Sequence, residues 1–347
     1  MISLNFVGDI SLFKHYEESN IDPLAKVKLP KSDYNIANFE FIIPNNRQKY
    51  FFDVPDTYAV SFEYLKSLEL GKFNAYGLSN NHSLDYGVEG VNDVRQILSE
   101  KGVRSFGFGE RDYNVLSLDI NKISIVIISF VKKGRWSRSK TQFHGPDSYD
   151  AEKIENKILE LKKKIDHVII FPHWGTELVD VPSPIDVNNA RRFIDAGASA
   201  VIGHHPHIIQ GIEEYNDGII AYSLGSFIYI PEKEIGYNKK QGDKRNYSIC
   251  LNLKLSKNKI IESTPYFYYY NQKNLLPESI EDVKIKTYFN EINHRIDDPG
   301  YYNQKIRKEL LARELRSFVQ RFKQYPIKTI IHYLKYIKWG HLKKLVK

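Results

Sequence analysis

Five short polar clusters, each placed directly after a run of β-forming residues, are the part of this chain that could do chemistry. They are Gly8-Asp9, Asn38-Phe39-Glu40, Asn80-Asn81-His82, His173-Trp174-Gly175-Thr176-Glu177 and Gly203-His204-His205-Pro206-His207. Taken singly, an aspartate after a strand is typical of a turn or helix cap. Together they supply two carboxylates, an amide and at least three imidazoles, and burying so many polar groups without partners would cost several kcal/mol. Because a bound metal ion removes that cost, the pattern predicts a metal centre.

The ligand types narrow the choice of metal. Carboxylate, imidazole and amide donors without a thiolate favour Mn, Fe or Zn over Ca and Mg, which prefer oxygen ligands. The single cysteine, Cys250, excludes an intramolecular disulfide and any multi-cysteine metal site. We therefore expect one or two divalent ions. A pair of ions with a carboxylate between them would activate water and polarise a phosphoryl oxygen.

Strand-like and helical patterns alternate along the first two-thirds of the chain and must position these clusters. The predicted strands are Leu4–Val7, Ile36–Phe41, Asn74–Leu78, Val115–Ile120, Ile123–Phe130, His167–Phe171, Ala200–Ile202, Ile208–Glu213, Ile219–Tyr222, Ser226–Ile230, Tyr247–Leu255 and Tyr266–Tyr270. The predicted helices are Tyr58–Glu69, Val88–Lys101, Ala151–Ile165 and Val187–Ala196. Strands that alternate with helices and are followed by a β-rich part indicate an α/β fold of two packed sheets flanked by helices.

The C-terminal part of the chain differs in pattern and in charge. After about Asn274 the apolar spacing becomes helical, with one helix over Ile306–Phe322 and a second that begins at Pro326. From Tyr301 onward, 13 Lys and Arg stand against two acids, which gives +11; since the whole chain carries +8, residues 1–300 sum to −3. We therefore divide the chain into a main domain, residues 1–272, and a basic amphipathic helical extension, residues 273–347.

Six motifs follow one another in order along about residues 1–270. They are Phe6-Val-Gly-Asp9, Asn38-Phe-Glu40, Leu78-Ser-Asn-Asn-His-Ser-Leu-Asp-Tyr-Gly87, His173-Trp-Gly-Thr-Glu177, Gly203-His-His-Pro-His207 and Tyr222-Ser-Leu-Gly-Ser-Phe227. This series resembles the bacterial capsule-synthesis CapA family, which is linked to poly-γ-glutamate production and shares the calcineurin-like metallophosphoesterase architecture. The resemblance implies a four-layer α/β/β/α sandwich, to which the helical extension is appended.

The resemblance also implies a role for each matched side chain. The first ion would be bound by Asp9 and His207, the second by Asn81, His173 and His205, and Glu40 would bridge the two ions. His82 would donate a proton to the leaving group, which requires a pKa near neutrality. His204 stays open as a ligand, a neighbour of the ligands or a substrate contact.

Two departures from the family pattern concern the ligands and their neighbours, besides a mild core change at Phe39 for the usual leucine. Metallophosphatases generally carry Asp-x-His at the first motif, whereas this chain has Asp9-Ile10-Ser11. The first ion therefore lacks one ligand unless His15 or water replaces it. Ser226 stands where the family usually has asparagine, which affects the surroundings of the ligands.

Three further features have two interpretations each. Asp85, a candidate catalytic residue, either orients a histidine or caps the helix that begins near Val88. Arg245, a second candidate, either clamps a carboxylate or phosphate or forms a surface salt bridge. The basic loop, which contains Lys132, Lys133, Arg135, Arg138 and Lys140, either holds an anionic substrate or is solvated.

Expected partners follow from the charge distribution. The substrate is expected to be an anionic small molecule or polymer, and no recognition motif for nucleic acid accompanies the basic charge. Residues 327–347 contact a membrane surface, an anionic polymer or a polymer-synthesis complex, or else pack on the main domain or a twin subunit. The N-terminus lacks a secretory-signal pattern and no apolar run approaches the roughly 20 residues of a membrane helix. We therefore expect a cytoplasmic protein that is peripheral at the membrane if residues 327–347 bind there.

Two classes of function compete. The leading hypothesis is a metal-dependent hydrolase that acts on a phosphoester, or on an amide bond of an acidic polymer, in capsule or poly-γ-glutamate biosynthesis. The alternative is a non-catalytic accessory or scaffold subunit of a membrane-associated polymer-synthesis complex. No Gly-x-Ser-x-Gly motif is present, which argues against a serine hydrolase.

Overall fold

The computed structural model describes residues 1–40, 59–109, 114–132, 145–146, 149–229, 242–271 and 273–324. The strands are β1 Ile2–Ile10, β2 Tyr34–Phe39, β3 Ala75–Gly77, β4 Arg104–Phe106, β5 Phe108–Gly109, β6 Leu116–Ile120, β7 Ile123–Val131, β8 Gly145–Pro146, β9 His167–His173, β10 Ala200–Ile202, β11 Ile212–Tyr215, β12 Gly218–Ala221, β13 Ser226–Ile228, β14 Tyr247–Leu255, β15 Ile260–Asn271 and β16 Leu276–Ser279. The α-helices are α1 Lys14–Glu18, α2 Phe62–Ser67, α3 Gly87–Glu100, α4 Ala151–Leu161, α5 Pro184–Asp195, α6 Gly242–Arg245, α7 Val283–Asn293 and α8 Pro299–Gln324.

Most of these strands form two sheets. Sheet 1 has the order β16-β15-β14-β1-β2-β3-β4, with β13 added beside β1. Sheet 2 has the order β11-β12-β10-β9-β7-β6, and β5 and β8 form a separate pair. β1 is shared along its length, because residues 2–7 pair with β14 whereas Asp9 and Ile10 pair with β13. The end of β1 therefore has β13 on one side and β2 on the other.

Three clusters of buried apolar side chains establish four layers. The first cluster joins sheet 1 to α1, α2 and α3, through residues such as Tyr76 and Val94. The second lies between the sheets, where Leu4 and Phe6 meet Ile127 and Phe171. The third joins sheet 2 to α4 and α5. The predicted α/β/β/α arrangement is therefore confirmed.

Local sequence signals set the helix starts and the strand character. Ser183 accepts a hydrogen bond from the backbone N–H of Asp186, and Pro184 opens α5, where its fixed φ suits the first turn. Asp150 caps α4 through the backbone N–H of Lys153. β7 and β9 are almost continuously apolar because both faces of sheet 2 are covered.

The main unit includes β16 and α7. Contacts divide the chain into Met1–Pro299 and Gly300–Lys347. β16 pairs with β15, and α7 buries Ile285 and Phe289 in the cluster between the sheets. The helical pattern expected from Asn274 onward therefore begins later, because a short strand precedes α7.

Two further elements differ from the prediction. The strand expected at Ile208–Glu213 begins only at Ile212, because Ile208 and Ile209 are buried in the loop that follows His207. The predicted helix over Ile306–Phe322 lies within α8, and the helix expected from Pro326 lies outside the described residues.

No helix in the described part of the chain combines the length and the apolar character that crossing a membrane requires.

His167 joins the two sheets at the amino end of β9. Its Nδ1 lies 2.9 Å from Ser199 Oγ, and its Nε2 donates to the carbonyl oxygen of Ser256, which follows β14, at 2.6 Å. Burial lowers the pKa of His167 below its ordinary value of 6.5, against the opposing effect of the Ser256 hydrogen bond. His167 therefore takes up a proton less readily in the folded state than in the unfolded chain. As the pH falls below 6.5, protonation favours the unfolded chain and the free energy of unfolding decreases.

We expect His167→Gln to be about 1–3 kcal/mol less stable than the wild type at pH 7.5, because it loses buried hydrogen bonds. The difference should narrow at pH 5.5, since only the wild type must then protonate this buried imidazole. Urea unfolding at both pH values measures the two free energies. A difference that is constant or larger at pH 5.5 would contradict the argument.

Candidate metal centre

The predicted metal ligands come from the carboxyl ends of five strands. β1, β2 and β3 run parallel in sheet 1, as do β9 and β10 in sheet 2. Asp9 lies in β1, Glu40 follows β2, Asn81 follows β3, His173 ends β9, and His205 and His207 follow β10. Loops from both sheets therefore bring these side chains to one place.

The ligand atoms form two triads that share Glu40. One triad is Asp9, Glu40 and His207, and the other is Glu40, His173 and His205. Within each triad the ligand atoms lie within 4.8 Å of one another, and all five side chains are buried. This is the pairing that a bridging Glu40 requires. The amide oxygen of Asn81 lies 2.8 Å from His173 Nε2, beside the second triad.

The two oxygens of Glu40 have different surroundings. Oε2 accepts a hydrogen bond from Ser11 Oγ at 2.9 Å. Oε1 lies 3.2 Å from His207 Nε2 and 3.9 Å from His173 Nε2, so it faces both triads. Among the described residues, Oε1 makes no hydrogen bond although it is buried. It is therefore the oxygen that can serve two ions.

Asp9 is held by donors from both sheets. Its Oδ1 accepts a hydrogen bond from Asn38 Nδ2 at 2.7 Å, and its Oδ2 accepts one from the backbone N–H of His205 at 3.2 Å. His207 Nδ1 lies 3.3 Å from the same Oδ2. The carboxylate is thus fixed between β2 and the loop that carries the histidines.

The buried carboxylates dominate the electrostatics. Burial by itself would raise the pKa of Asp9, but His207 holds that pKa well below its usual range. Burial would lower the pKa of His207, whereas the charges of Glu40 and Asp9 raise it well above its ordinary value. Burial lowers the pKa values of His173 and His205. Neutral imidazoles keep the lone pairs that a metal ion needs.

This donor set fits a divalent cation. It combines buried carboxylates, an amide oxygen and neutral imidazoles, with no thiolate among the grouped residues. Glu40 Oε1 and His205 Nδ1 are buried without a hydrogen-bond partner in the described residues. Since buried polar atoms are normally satisfied, these two atoms are the ones that an ion would complete.

The backbone around the site is strained or unusually close. His205 and His207 have φ values of 97° and 57°, in the left-handed region that non-glycine residues rarely adopt. Such residues cost about 1–3 kcal/mol each. A Cβ on Gly8 would lie 1.8 Å from the carbonyl oxygen of Gly225, and one on Gly203 would lie 2.0 Å from that of Tyr222. Only glycine therefore fits at these two positions, where segments of the backbone pass close to each other.

His204 belongs to neither triad. Its Nε2 donates to the carbonyl oxygen of Val7 at 3.2 Å, and its ring packs on Phe171 with centroids 4.0 Å apart. The sequence left three roles open for His204: ligand, neighbour of the ligands or substrate contact. In the structure its ring ties the histidine loop to β1. His15 is not in either triad, and its Nε2 lies 3.5 Å from Ser19 Oγ on α1.

Asp85 contacts the candidate proton donor. Its Oδ2 lies 2.6 Å from His82 Nδ1, while α3 begins at Gly87 with no side-chain cap from Tyr86. Burial would lower the pKa of His82, but the hydrogen bond that its ring donates to Asp85 raises it. With Nδ1 bound to Asp85, Nε2 is the nitrogen that can exchange a proton with a ligand.

The remaining basic candidates are only partly described. Arg245 is buried at the end of α6, directly before β14, and its role as an anion clamp stays a prediction. Lys132 Nζ forms an ion pair with Asp186 at the start of α5, so this member of the basic loop serves an internal contact. Residues 133–144, with the other basic residues of the loop, and residues 327–347 lie outside the described residues.

Sequence reasoning assigned no specific contact to three side chains that touch the ligands, although it noted Ser226 as a departure from the family pattern. Asn38 and Ser11 bind Asp9 and Glu40, as described above, and Ser226 Oγ lies 3.0 Å from His207 Nδ1. The signal for two of them was present, because residues two apart on a strand share a face. Asn38 precedes Glu40 by two residues, and Ser11 follows Asp9 by two.

Comparison with known proteins identifies the family. The model of the family described as bacterial capsule synthesis protein PGA_cap matches residues 3–230, and the chain belongs to this family. The matched segment includes both triads and Asn81.

Two individual relatives are both named CapA. The PGA biosynthesis protein CapA of Bacillus subtilis is 30% identical over 241 residues, which cover 66% of this chain and 63% of that protein. The capsule biosynthesis protein CapA of Bacillus anthracis is 29% identical over 249 residues, which cover 66% and 60%. This chain thus spans about three-fifths of the length of these relatives. Among solved structures, the calcineurin-like phosphoesterase YfkN of Bacillus subtilis is 12% identical, with a TM-score of 0.42 over 85% of this chain and 97% of that one.

We expect Gly8→Ala to lower the free energy of unfolding by about 1–3 kcal/mol, because the new Cβ overlaps the Gly225 carbonyl and forces the strands apart. Gly71→Ala is the matched control, since no atom lies within 4 Å of its Cβ, and it should change stability by less than about 0.5 kcal/mol. Urea unfolding of both variants measures the effect. Equal stability of the two variants would show that the close approach is not required.

Proposed function

We propose that this chain is a divalent-metal-dependent hydrolase of capsule or poly-γ-glutamate biosynthesis. The observation that carries the proposal is the pair of buried triads with Glu40 in common. Two relatives that share its family are named for PGA and capsule biosynthesis, which supports the biological setting. The substrate class is a phosphoester or an amide bond of an acidic polymer.

The ligands divide between two ions. The first ion would be held by Asp9, Glu40 and His207, and the second by Glu40, Asn81, His173 and His205. Nitrogen and oxygen donors without sulfur favour Mn, Fe or Zn. Bound ions of this kind supply positive charge that polarises a phosphoryl or carbonyl oxygen and lowers the pKa of water.

The protein's own groups supply positioning and proton transfer. Asn38 and the backbone of His205 hold the Asp9 carboxylate, so it needs no reorganisation when a ligand arrives. His82, oriented by Asp85, gives a proton from Nε2 to the leaving oxygen or nitrogen. Arg245 would pair with a carboxylate or phosphate of the substrate in a bidentate contact.

The first experiment measures metal content and turnover together. We expect about one to two equivalents of Mn, Fe or Zn in the purified wild type by elemental mass spectrometry. His205→Ala should lose the second ion, and Glu40→Gln should lose both, because Glu40 is shared. Hydrolysis of phosphoester and γ-glutamyl substrates should disappear with the metal.

Two outcomes would contradict the proposal in different ways. No metal after reconstitution would remove the metal centre and favour an accessory role. Full metal content without hydrolysis in the substrate screen, together with capsule production that survives Glu40→Gln, would retain the site and remove catalysis as its function.

His82→Gln should lower kcat by about 10²- to 10⁴-fold, the usual contribution of a positioned general acid. Metal content should remain that of the wild type, since His82 is not in either triad. Asp85→Asn should give a smaller loss, because the ring remains but loses its charged partner. Steady-state kinetics with parallel metal analysis tests this, and an unchanged kcat in His82→Gln would remove His82 from the mechanism.

A further inference from the structure

Two buried serine hydroxyls contact the residues on either side of the first ion position. Ser11 and Ser226 are both fully buried. Ser11 follows Asp9 by two residues, and Ser226 pairs with Asp9 in the register of β13 and β1. The backbone N–H of Ser11 also donates to the carbonyl oxygen of Ile228 in β13, at 2.9 Å. The two serines are therefore fixed to the same strand junction.

Ser11 determines which oxygen of Glu40 faces the ions. Because its hydroxyl occupies Oε2 at 2.9 Å, Oε1 is the oxygen turned toward His207 and His173. Rotation of the carboxylate would break this hydrogen bond inside a water-excluded site. Ser11 thus favours a single shared oxygen over a carboxylate that spans the ions with both.

Ser226 helps to determine which nitrogen of His207 faces Glu40, together with Asp9 Oδ2, which also lies 3.3 Å from Nδ1. With Nδ1 bonded to Ser226 Oγ at 3.0 Å, Nε2 is directed at Glu40 Oε1, 3.2 Å away. The ring of Tyr229 stacks on His207 with centroids 5.0 Å apart and an interplanar angle of 31°. A hydroxyl and an aromatic face from one strand end therefore fix the tautomer and the plane of this imidazole.

We propose that Ser11 and Ser226 are positioning residues that build the first ion site by directing Glu40 Oε1 and His207 Nε2 toward one point. This inference rests on the metal centre of the proposed function. It assigns the two serines unequal roles. Ser226 supports the first ion alone, whereas Ser11 supports both ions because Glu40 is shared by the triads.

The test uses Mn²⁺ as the probe and the full chain as the sample. Calorimetric titration gives the affinity of each ion, and electron paramagnetic resonance distinguishes an isolated Mn²⁺ from a spin-coupled pair. We expect Ser226→Ala to lower the affinity for one of the two ions by about 10- to 100-fold, the usual effect of losing a group that orients a ligand. The coupled signal should give way to that of an isolated ion at limiting Mn²⁺. Ser11→Ala should lower the affinity for both ions, whereas Ser11→Thr, which keeps the hydroxyl, should bind both ions as the wild type does.

Ser248→Ala is the matched control. Ser248 is fully buried on β14 beside Gly225, and its hydroxyl has no hydrogen-bond partner in the described residues. Its removal should leave both affinities and the coupled signal unchanged. If Ser11→Ala does not fold, Ser226→Ala decides the inference alone.

The possible results separate this inference from the function beneath it. Two Mn²⁺ ions bound by the wild type and by both alanine variants with equal affinity would overturn the inference and leave the metal centre intact. Equal weakening in Ser248→Ala would also overturn it, since the effect would then be general to buried serines. A wild-type chain that binds no Mn²⁺, and no Fe²⁺ or Zn²⁺ in the same titration, would overturn both.

Discussion

The constraint on which this structure depends is the burial of two carboxylates, Asp9 and Glu40, where the two sheets meet. Neither is exposed to solvent, and a buried carboxylate without compensation costs several kcal/mol. The surrounding groups compensate that cost with an amide from Asn38, a hydroxyl from Ser11, the backbone N–H of His205 and the ring of His207. These donors come from β2, from the residue after β1 and from the loop after β10, so the demand for compensation draws strand ends of both sheets together.

The fold meets that demand through its backbone as much as through its side chains. Gly8 and Gly203 let neighbouring segments of the backbone approach more closely than any side chain would allow. His204 links the histidine loop to Val7 of β1. The left-handed conformations of His205 and His207 are maintained because both sheets, with apolar clusters on each face, hold the ends of that loop. The packing free energy of the layers thus offsets the cost of the strained backbone in this polar centre.

The amino-acid sequence predicts much of this arrangement. Strand endings mark Asp9, Glu40 and His173 as neighbours, because parallel strands deliver their carboxyl ends to one side of a sheet. His205 and His207 were expected as ligands from the family resemblance alone. Residue type and spacing do not show which histidine of positions 204–207 turns inward, since that depends on φ values set by the closed loop. The place where α7 packs could not be predicted either. The apolar stripe of α7 has the spacing of any amphipathic helix, and only the finished sheets show that Ile285 and Phe289 complete the cluster between them.

The position of β13 has a consequence for the order in which the molecule can be made. Asp9 lies in β1, which is synthesised before the other strands of the two sheets, yet its partners at His205 and Ser226 come about 200 residues later. Contacts this distant in sequence form late, since a long loop must close before they contribute any stability. Until β13 and β14 are synthesised, the end of β1 lacks a neighbour on one side and its buried acid lacks counter-charges. The centre therefore takes shape only after the loop that follows β10 and the strand β13 have joined β1, so an intact centre reports that both sheets have closed around it.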